Sequence, residues 1–322
     1  MSDSSRRMYE LAFPRPAVDD QGEGPVLVVA LQGYADAGNS IRISNSHLLQ
    51  ALENATIASF TMDELIDYRA RRPATTLKDN QVVDVESLEL TLRVVKDLSN
   101  RPFLLLSGVE PDFRWDAFTD AVSGFVDNYG VSSVLFLYGA AMNVPHTRPL
   151  VVSAHGNAPE LWANAISLDA QMTIPGSAQL TLEHALMQQG TPVCGFTAHV
   201  PHYLGAGDYP AAALGLLTAV SESGDLDLPL KVLQQDASRA QEQINRELGD
   251  HVELTPIISQ LEQAFDDEVS RRKNQAEIAR AEENIPTADE LGDLAESFLA
   301  SVDIDDVSFP PPPEDSDEDT RE

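Results

Sequence analysis

The sequence predicts an α/β protein, a three-layer α/β/α sandwich with helices and an acidic tail at its C-terminal end. Three observations predict it. Strand-like runs and amphipathic segments alternate through the first 220 residues, the order that builds a sheet with helices on its faces. Several of the runs are apolar at every position, as strands covered on both faces are. From residue 229 the strand pattern stops and helical periodicity takes over.

Residues 1–24 read as a flexible polar arm ending in Gly-Glu-Gly. Val26–Leu31 is a central strand, and the small acidic loop LQGYADAGNS (31–40) leads from it into a helix over 41–54. Asn39 or Ser40 is placed to cap that helix. Residues 56–62 form a second strand. The stretch 67–87 is polar and turn-rich and carries Arg69, Arg71 and Arg72, the one dense basic cluster of the front half. Such a cluster is ordinarily solvated or paired with acids. In so acidic a chain its functional use would be to hold an anion or a partner subunit.

Residues 88–95 alternate, as a half-exposed strand does, and 102–108 read as buried. A helix follows over 115–128, then strands over 131–141, 149–156 and 191–200. Between the last two, 180–190 is an amphipathic helix with Gly190 as its C-cap. Residues 211–224 are a strongly apolar helix. The sandwich therefore covers 25–228, with a mostly parallel sheet. Residues 229–284 form a helical pair, 285–301 one short helix, and 302–322 a proline-rich acidic tail expected to be disordered.

The chain has 322 residues, 52 acidic and 21 basic, for a net charge of −31. Residues 286–322 alone carry −12. Phosphate contacts need a basic surface, so nucleic acid is excluded as a partner, and anionic membrane is disfavoured. No apolar run reaches membrane-spanning length and no signal peptide is present, so a cytoplasmic location is expected. The single cysteine, Cys194, excludes an internal disulfide and sits in a strand-like run as a small hydrophobe.

Three strand-end loops hold the candidate pocket. In the first, Asp36 and Asn39 follow a central strand. Gly33 and Gly38 have neither dinucleotide-fingerprint nor phosphate-loop spacing. Asp36 either caps the next helix or serves as a carboxylate that orients or deprotonates a substrate. The second loop brings His146 and Arg148, with His155 at the end of the next strand, a set suited to a phosphate or carboxylate. The bland alternative is hydrogen-bonded loop contacts fixed by Pro145 and Pro149. The third brings His199, His202 and Tyr203. The two histidines have a helical metal spacing, but Pro201 argues against a helix, so no metal and no cofactor is expected. No nucleophile elbow or triad is present. Glu183, on the 180–190 helix, could reach the crevice but reads first as solvated or capping.

LQGYADAGNS, MNVPHTRPLVVSAHG, GFTAHVPHYLGAGDYPAAALGLL and PTADELGDLAESFL together resemble, in order and spacing, the actinobacterial branch of the PAC2 (proteasome assembly chaperone 2) family. The resemblance spans residues 26 to about 299. It implies a fold like the purine nucleoside phosphorylase/hydrolase α/β/α sandwich. It also implies a non-enzymatic assembly chaperone or scaffold that forms a homo-oligomer, a trimer or tetramer, and that engages another protein complex. The proteasome-docking members end in a hydrophobic–tyrosine–any-residue tail. This chain ends DTRE, so the resemblance does not imply docking through its C-terminus. The family supplies no catalytic set to carry over. The competing expectation is a nucleoside hydrolase- or phosphorylase-like enzyme or a small-molecule binder, with Arg148 or the arginine cluster holding an anion.

Overall fold

A computed structural model describes residues 8–18, 22, 24–162, 164–167, 171–249, 254–283 and 297. The expected tail and, apart from residue 297, the expected short helix lie outside the described residues. The chain divides into two units, Met1–Phe265 and Asp266–Glu322.

The first unit is built on a nine-stranded mixed sheet. Its strands are β1 (Tyr9–Leu11), β2 (Val26–Gln32), β3 (Asn54–Phe60), β6 (Leu90–Lys96), β7 (Pro102–Val109), β8 (Ser133–Met142), β9 (Val152–Gly156), β10 (Ile166–Ser167) and β11 (Val193–Pro201). A separate two-stranded ribbon pairs β4 (Thr75–Lys78) with β5 (Gln81–Val85). The order across the large sheet is β1-β3-β6-β7-β2-β8-β11-β9-β10.

The four central strands, β7, β2, β8 and β11, are mutually parallel. On one side β6, β3 and β1 pair antiparallel, and on the other β9 runs antiparallel to β11. The expectation of a mostly parallel sheet is corrected accordingly. The cause is local: β6 and β7 are joined by the tight turn 97–101. There Asp97 Oδ1 accepts from the backbone N–H groups of Ser99 (2.9 Å) and Arg101 (2.8 Å). So short a connection can only reverse the chain, whereas a parallel pair needs a crossover.

The N-terminal segment also differs from a free polar arm. Met8 is fully buried, and the Tyr9 ring lies against Phe60 and Phe125 at centroid distances of 5.7 and 4.8 Å. Three residues with one apolar anchor give too short a periodic signal to be read as a strand.

Helices cover both faces of the sheet. On one face lie α2 (Trp115–Tyr129) and α3 (Ala178–Gln188), packed around Phe118, Phe125, Phe136 and Leu182. On the other lie α1 (Ser40–Ala51) and α4 (Pro210–Gly224), with α5 (Leu230–Gly249) packed on α4 through Leu233 and Ala237. The alternation of β11 divides the two cores: Cys194, Phe196, Ala198 and Val200 enter the α1/α4 side. Cys194 is fully buried there, and burial pushes its thiol up to about 12, which leaves it an inert packing residue. Helix α6 (Thr255–Glu283) begins in the first unit and continues into the second. Among the described residues no helix is long and apolar enough to cross a membrane.

Candidate functional site

The neighbouring parallel strands β2, β8 and β11 deliver their C-terminal ends to one edge of the sheet, where open α/β sheets collect ligands. The loop after β2 is held against the other two by its backbone. Gly139 N–H, in β8, donates to Ala35 O at 2.7 Å, and Gly38 N–H donates to Gly205 O at 2.8 Å. Tyr209 N–H returns a bond to Gly38 O at 2.9 Å. Gly38 has φ +69°, and a Cβ there would stand 2.9 Å from the Tyr209 Cβ, so both backbone conformation and space require glycine.

Asp36 turns back onto its own helix. Its Oδ1 accepts from Ile41 N–H at 2.6 Å. The capping oxygen of α1 thus comes from Asp36 and not from Asn39 or Ser40. Asn39 occupies the cap position in a left-handed conformation, φ 50°, without a side-chain cap bond. Its amide instead donates to Asp208 Oδ1 at 2.6 Å, and Arg42 Nη2 donates to the same oxygen at 2.5 Å. These bonds to Asn39 and Arg42 hold the Asp208 carboxyl below its ordinary value. Burial has the opposite effect on Asp36 and raises it to about 6, against the pull of the Ile41 and Arg42 N–H groups.

The second and third loops meet at Tyr203. His146 is buried, its backbone N–H donates to the Tyr203 hydroxyl at 2.9 Å, and its Nδ1 lies 2.7 Å from that oxygen. A hydroxyl that accepts from the backbone keeps its own proton to donate to a neutral Nδ1. Burial lowers the His146 pKa in the same sense. His202 is exposed, with its ring edge-on to Tyr203 at 5.2 Å. Arg148 Nη1 lies 3.1 Å from Glu262 Oε1 of α6, and the Thr147 hydroxyl donates to the same oxygen at 2.5 Å. The His146 carbonyl accepts from Gln241 of α5 at 3.0 Å.

Two candidates lie elsewhere. His155 pairs in register with Gly195, near the start of β11 and away from the strand ends. Its Nε2 lies 3.0 Å from Glu183 Oε1, while the Tyr138 hydroxyl donates to Glu183 Oε2 at 2.5 Å. Burial alone would lower the His155 pKa, but the bond to Glu183 and its charge together raise it. Glu183 is 2% exposed, which corrects the expectation that it is solvated or capping. Its helix carries it inward because α3 is buried along Ala178, Leu182 and Leu186, and Glu183 borders that stripe. His199 Nε2 lies 2.9 Å from the Ser153 hydroxyl, both buried within the sheet.

The arginine cluster splits as well. Arg71 binds Asp112 at 3.2 Å and the Gln32 carbonyl at 3.1 Å, while Arg69 and Arg72 are exposed. A cavity of about 310 Å³ opens between α1 and strands β6 and β7, lined in part by Arg42, Asn45, Glu89, Thr91 and Arg93. It includes none of the eight candidates. Among the described residues no group of three or more His, Cys, Asp or Glu side chains is placed to hold a metal ion. Sequence reasoning missed Arg42, Tyr138 and Glu262, each of which meets its partner only through the tertiary fold.

The α/β body thus pairs most of its strand-end polar groups with one another. The PAC2 family profile matches residues 30–248, and the chain belongs to that family. A solved Corynebacterium glutamicum protein of unknown function is 49% identical, covering 82% of this chain and 99% of that one, with a TM-score of 0.80. A Mycobacterium tuberculosis protein of unknown function is 42% identical over 84% of this chain and 92% of that one, with a TM-score of 0.81. A second M. tuberculosis structure, a homologue of proteasome-assembly chaperones, is 25% identical over 72% of this chain and 99% of that one, with a TM-score of 0.65. No curated protein matches the chain.

Proposed function

We propose that the chain acts by association and not by catalysis, as an assembly chaperone or scaffold whose working form is a homo-oligomer. The observation that supports this most is how the strand-end groups are used. Asp208 takes both Asn39 and Arg42, Tyr203 takes His146, and Glu262 takes Arg148. A substrate would have to displace these bonds; of the groups they join His146 is the buried one, and leaving it without a partner costs about 1–3 kcal/mol. The same bonds make good sense as ties that fix three loops into one rigid surface.

The reading includes a sandwich of the nucleoside phosphorylase/hydrolase type in which the strand ends carry contacts in place of chemistry. It also includes a cytoplasmic location and a trimer or tetramer. The client is another protein complex. The likeness to a mycobacterial proteasome-assembly-chaperone homologue makes the host's proteasome subunits the first client to test.

The test is a time course of ring formation by those subunits with and without the chain. Faster or more complete assembly supports the reading. An unchanged time course removes the proteasome as client. Release of free base from a nucleoside panel, lost in Asp36→Ala and His202→Ala, would replace association with catalysis.

A further inference from the structure

The ribbon β4–β5 forms a sheet of its own, separate from the nine-stranded one. All nine of its strand residues are exposed. Its geometry is locally specified. Asp79 and Asn80 form a two-residue turn with φ 50° and 64°, the positive pair that a tight hairpin requires. Thr75 stands opposite Val85, Thr76 opposite Asp84, Leu77 opposite Val82 and Lys78 opposite Gln81, with Val83 bulged between.

Opposed residues share a face and faces alternate along a strand. One face therefore carries Thr75, Leu77, Val82 and Val85, and the other Thr76, Lys78, Gln81 and Asp84. The first face is apolar and uncovered: Leu77 is 69% exposed, Val82 60% and Val85 55%, with the bulged Val83 at 53%. An isolated two-stranded hairpin is marginal in water. Contiguous exposed apolar side chains mark an interaction site.

Charge selects the occupant. The whole chain carries −31, so two copies repel across most of their surfaces. Residues 67–87 hold four basic residues, Arg69, Arg71, Arg72 and Lys78, against four acidic ones, Asp67, Asp79, Asp84 and Glu86. This is a neutral island on an acidic body. At its foot Arg69 and Arg72 are exposed and form no ion pair among the described residues. An acidic body of the same sequence supplies the missing counter-charge.

We infer that the apolar face of the β4–β5 ribbon, with Arg69 and Arg72 beside it, is the surface through which one copy of this chain binds a second copy. The inference rests on the self-association proposed above and names its surface. The ribbon apposes its apolar side chains to the partner, and the two arginines bond the partner's acids.

The experiment is light scattering of the full chain over a range of concentrations, with Leu77→Asp, Val82→Asp and the double variant Arg69→Glu/Arg72→Glu. All these side chains are exposed, so circular dichroism and Tm stay as in wild type. Wild type self-associates, and each variant weakens association at least about tenfold. Hydrogen exchange of residues 75–85 slows as wild-type concentration rises. A wild type that stays monomeric overturns both the inference and the self-association. A wild-type oligomer that survives all the substitutions, with exchange at 75–85 independent of concentration, overturns this surface and leaves self-association standing. Protection of 75–85 only on adding a different protein overturns the second copy as occupant.

Discussion

The Tyr203 hydroxyl stands 2.9 Å from the backbone nitrogen of His146 and 2.7 Å from its Nδ1, so one phenol oxygen closes two polar groups of another loop. Tyr203→Phe removes both bonds and leaves the His146 N–H without its acceptor. The expected loss is about 1–3 kcal/mol, read from urea unfolding. An unchanged midpoint would show that the loops do not depend on this contact.

His146 also sets a pH dependence. Burial holds its folded pKa below the ordinary 6.5. Its contribution to stability is therefore present above about pH 6.5 and is lost as pH falls through the folded value, because protonation favours the unfolded chain. His146→Gln keeps a polar side chain without the titration, so its stability falls less between pH 7 and pH 5 than that of wild type. Equal losses in the two proteins would refute the assignment.

Asp36 works in the opposite direction. Its folded carboxyl is raised from 3.8 to about 6, so its contribution is fully present below pH about 4 and is lost as pH rises through 6. Asp36→Asn keeps an oxygen for Ile41 N–H and cannot ionise. It is expected to be at least as stable as wild type at pH 8, whereas Asp36→Ala loses the cap and about 1 kcal/mol. A less stable Asn variant at pH 8 would mean that the charge itself is needed there.

Glu183→Gln tests the buried Tyr138–Glu183–His155 line. Without the carboxylate, burial alone acts on His155, and its pKa, followed by NMR of the ring protons, drops below the wild-type value. No movement would mean that His155 does not feel Glu183.

Gly139→Ala places a Cβ 2.8 Å from the Ala37 carbonyl oxygen and closer still to the Ser40 hydroxyl. Overpacking of this kind costs about 1–3 kcal/mol. A drop in Tm is expected, and an unchanged Tm would show that the first loop can move away from β8.

Where the sequence was periodic it was legible. The central strand Val26–Gln32 and helices α2 and α4 lie within a few residues of their expected limits. Contacts set by tertiary context were not legible. The Tyr9–Leu11 strand is held by two aromatic rings distant in sequence, and Glu183 looks like any helical acid until α3 turns it inward. The ribbon at 75–85 was hidden in a polar segment because its apolar residues are few and one is displaced by a bulge. Of the candidate site, the sequence showed that each of the three loops follows a strand, β2, β8 or β11, but not the strand order that makes these strands neighbours. The partners that occupy each group, Asp208 for Asn39 and Glu262 for Arg148, were not legible either, because nothing in local spacing joins them.

The central claim is that the strand-end groups are ties and that the chain works by association. Native mass spectrometry of the full chain, purified without denaturant, tests it most directly. The account predicts a closed homo-oligomer that retains no small molecule. A nucleoside, phosphate or sugar held at one copy per subunit, and lost in Asp36→Ala or His202→Ala, would contradict it.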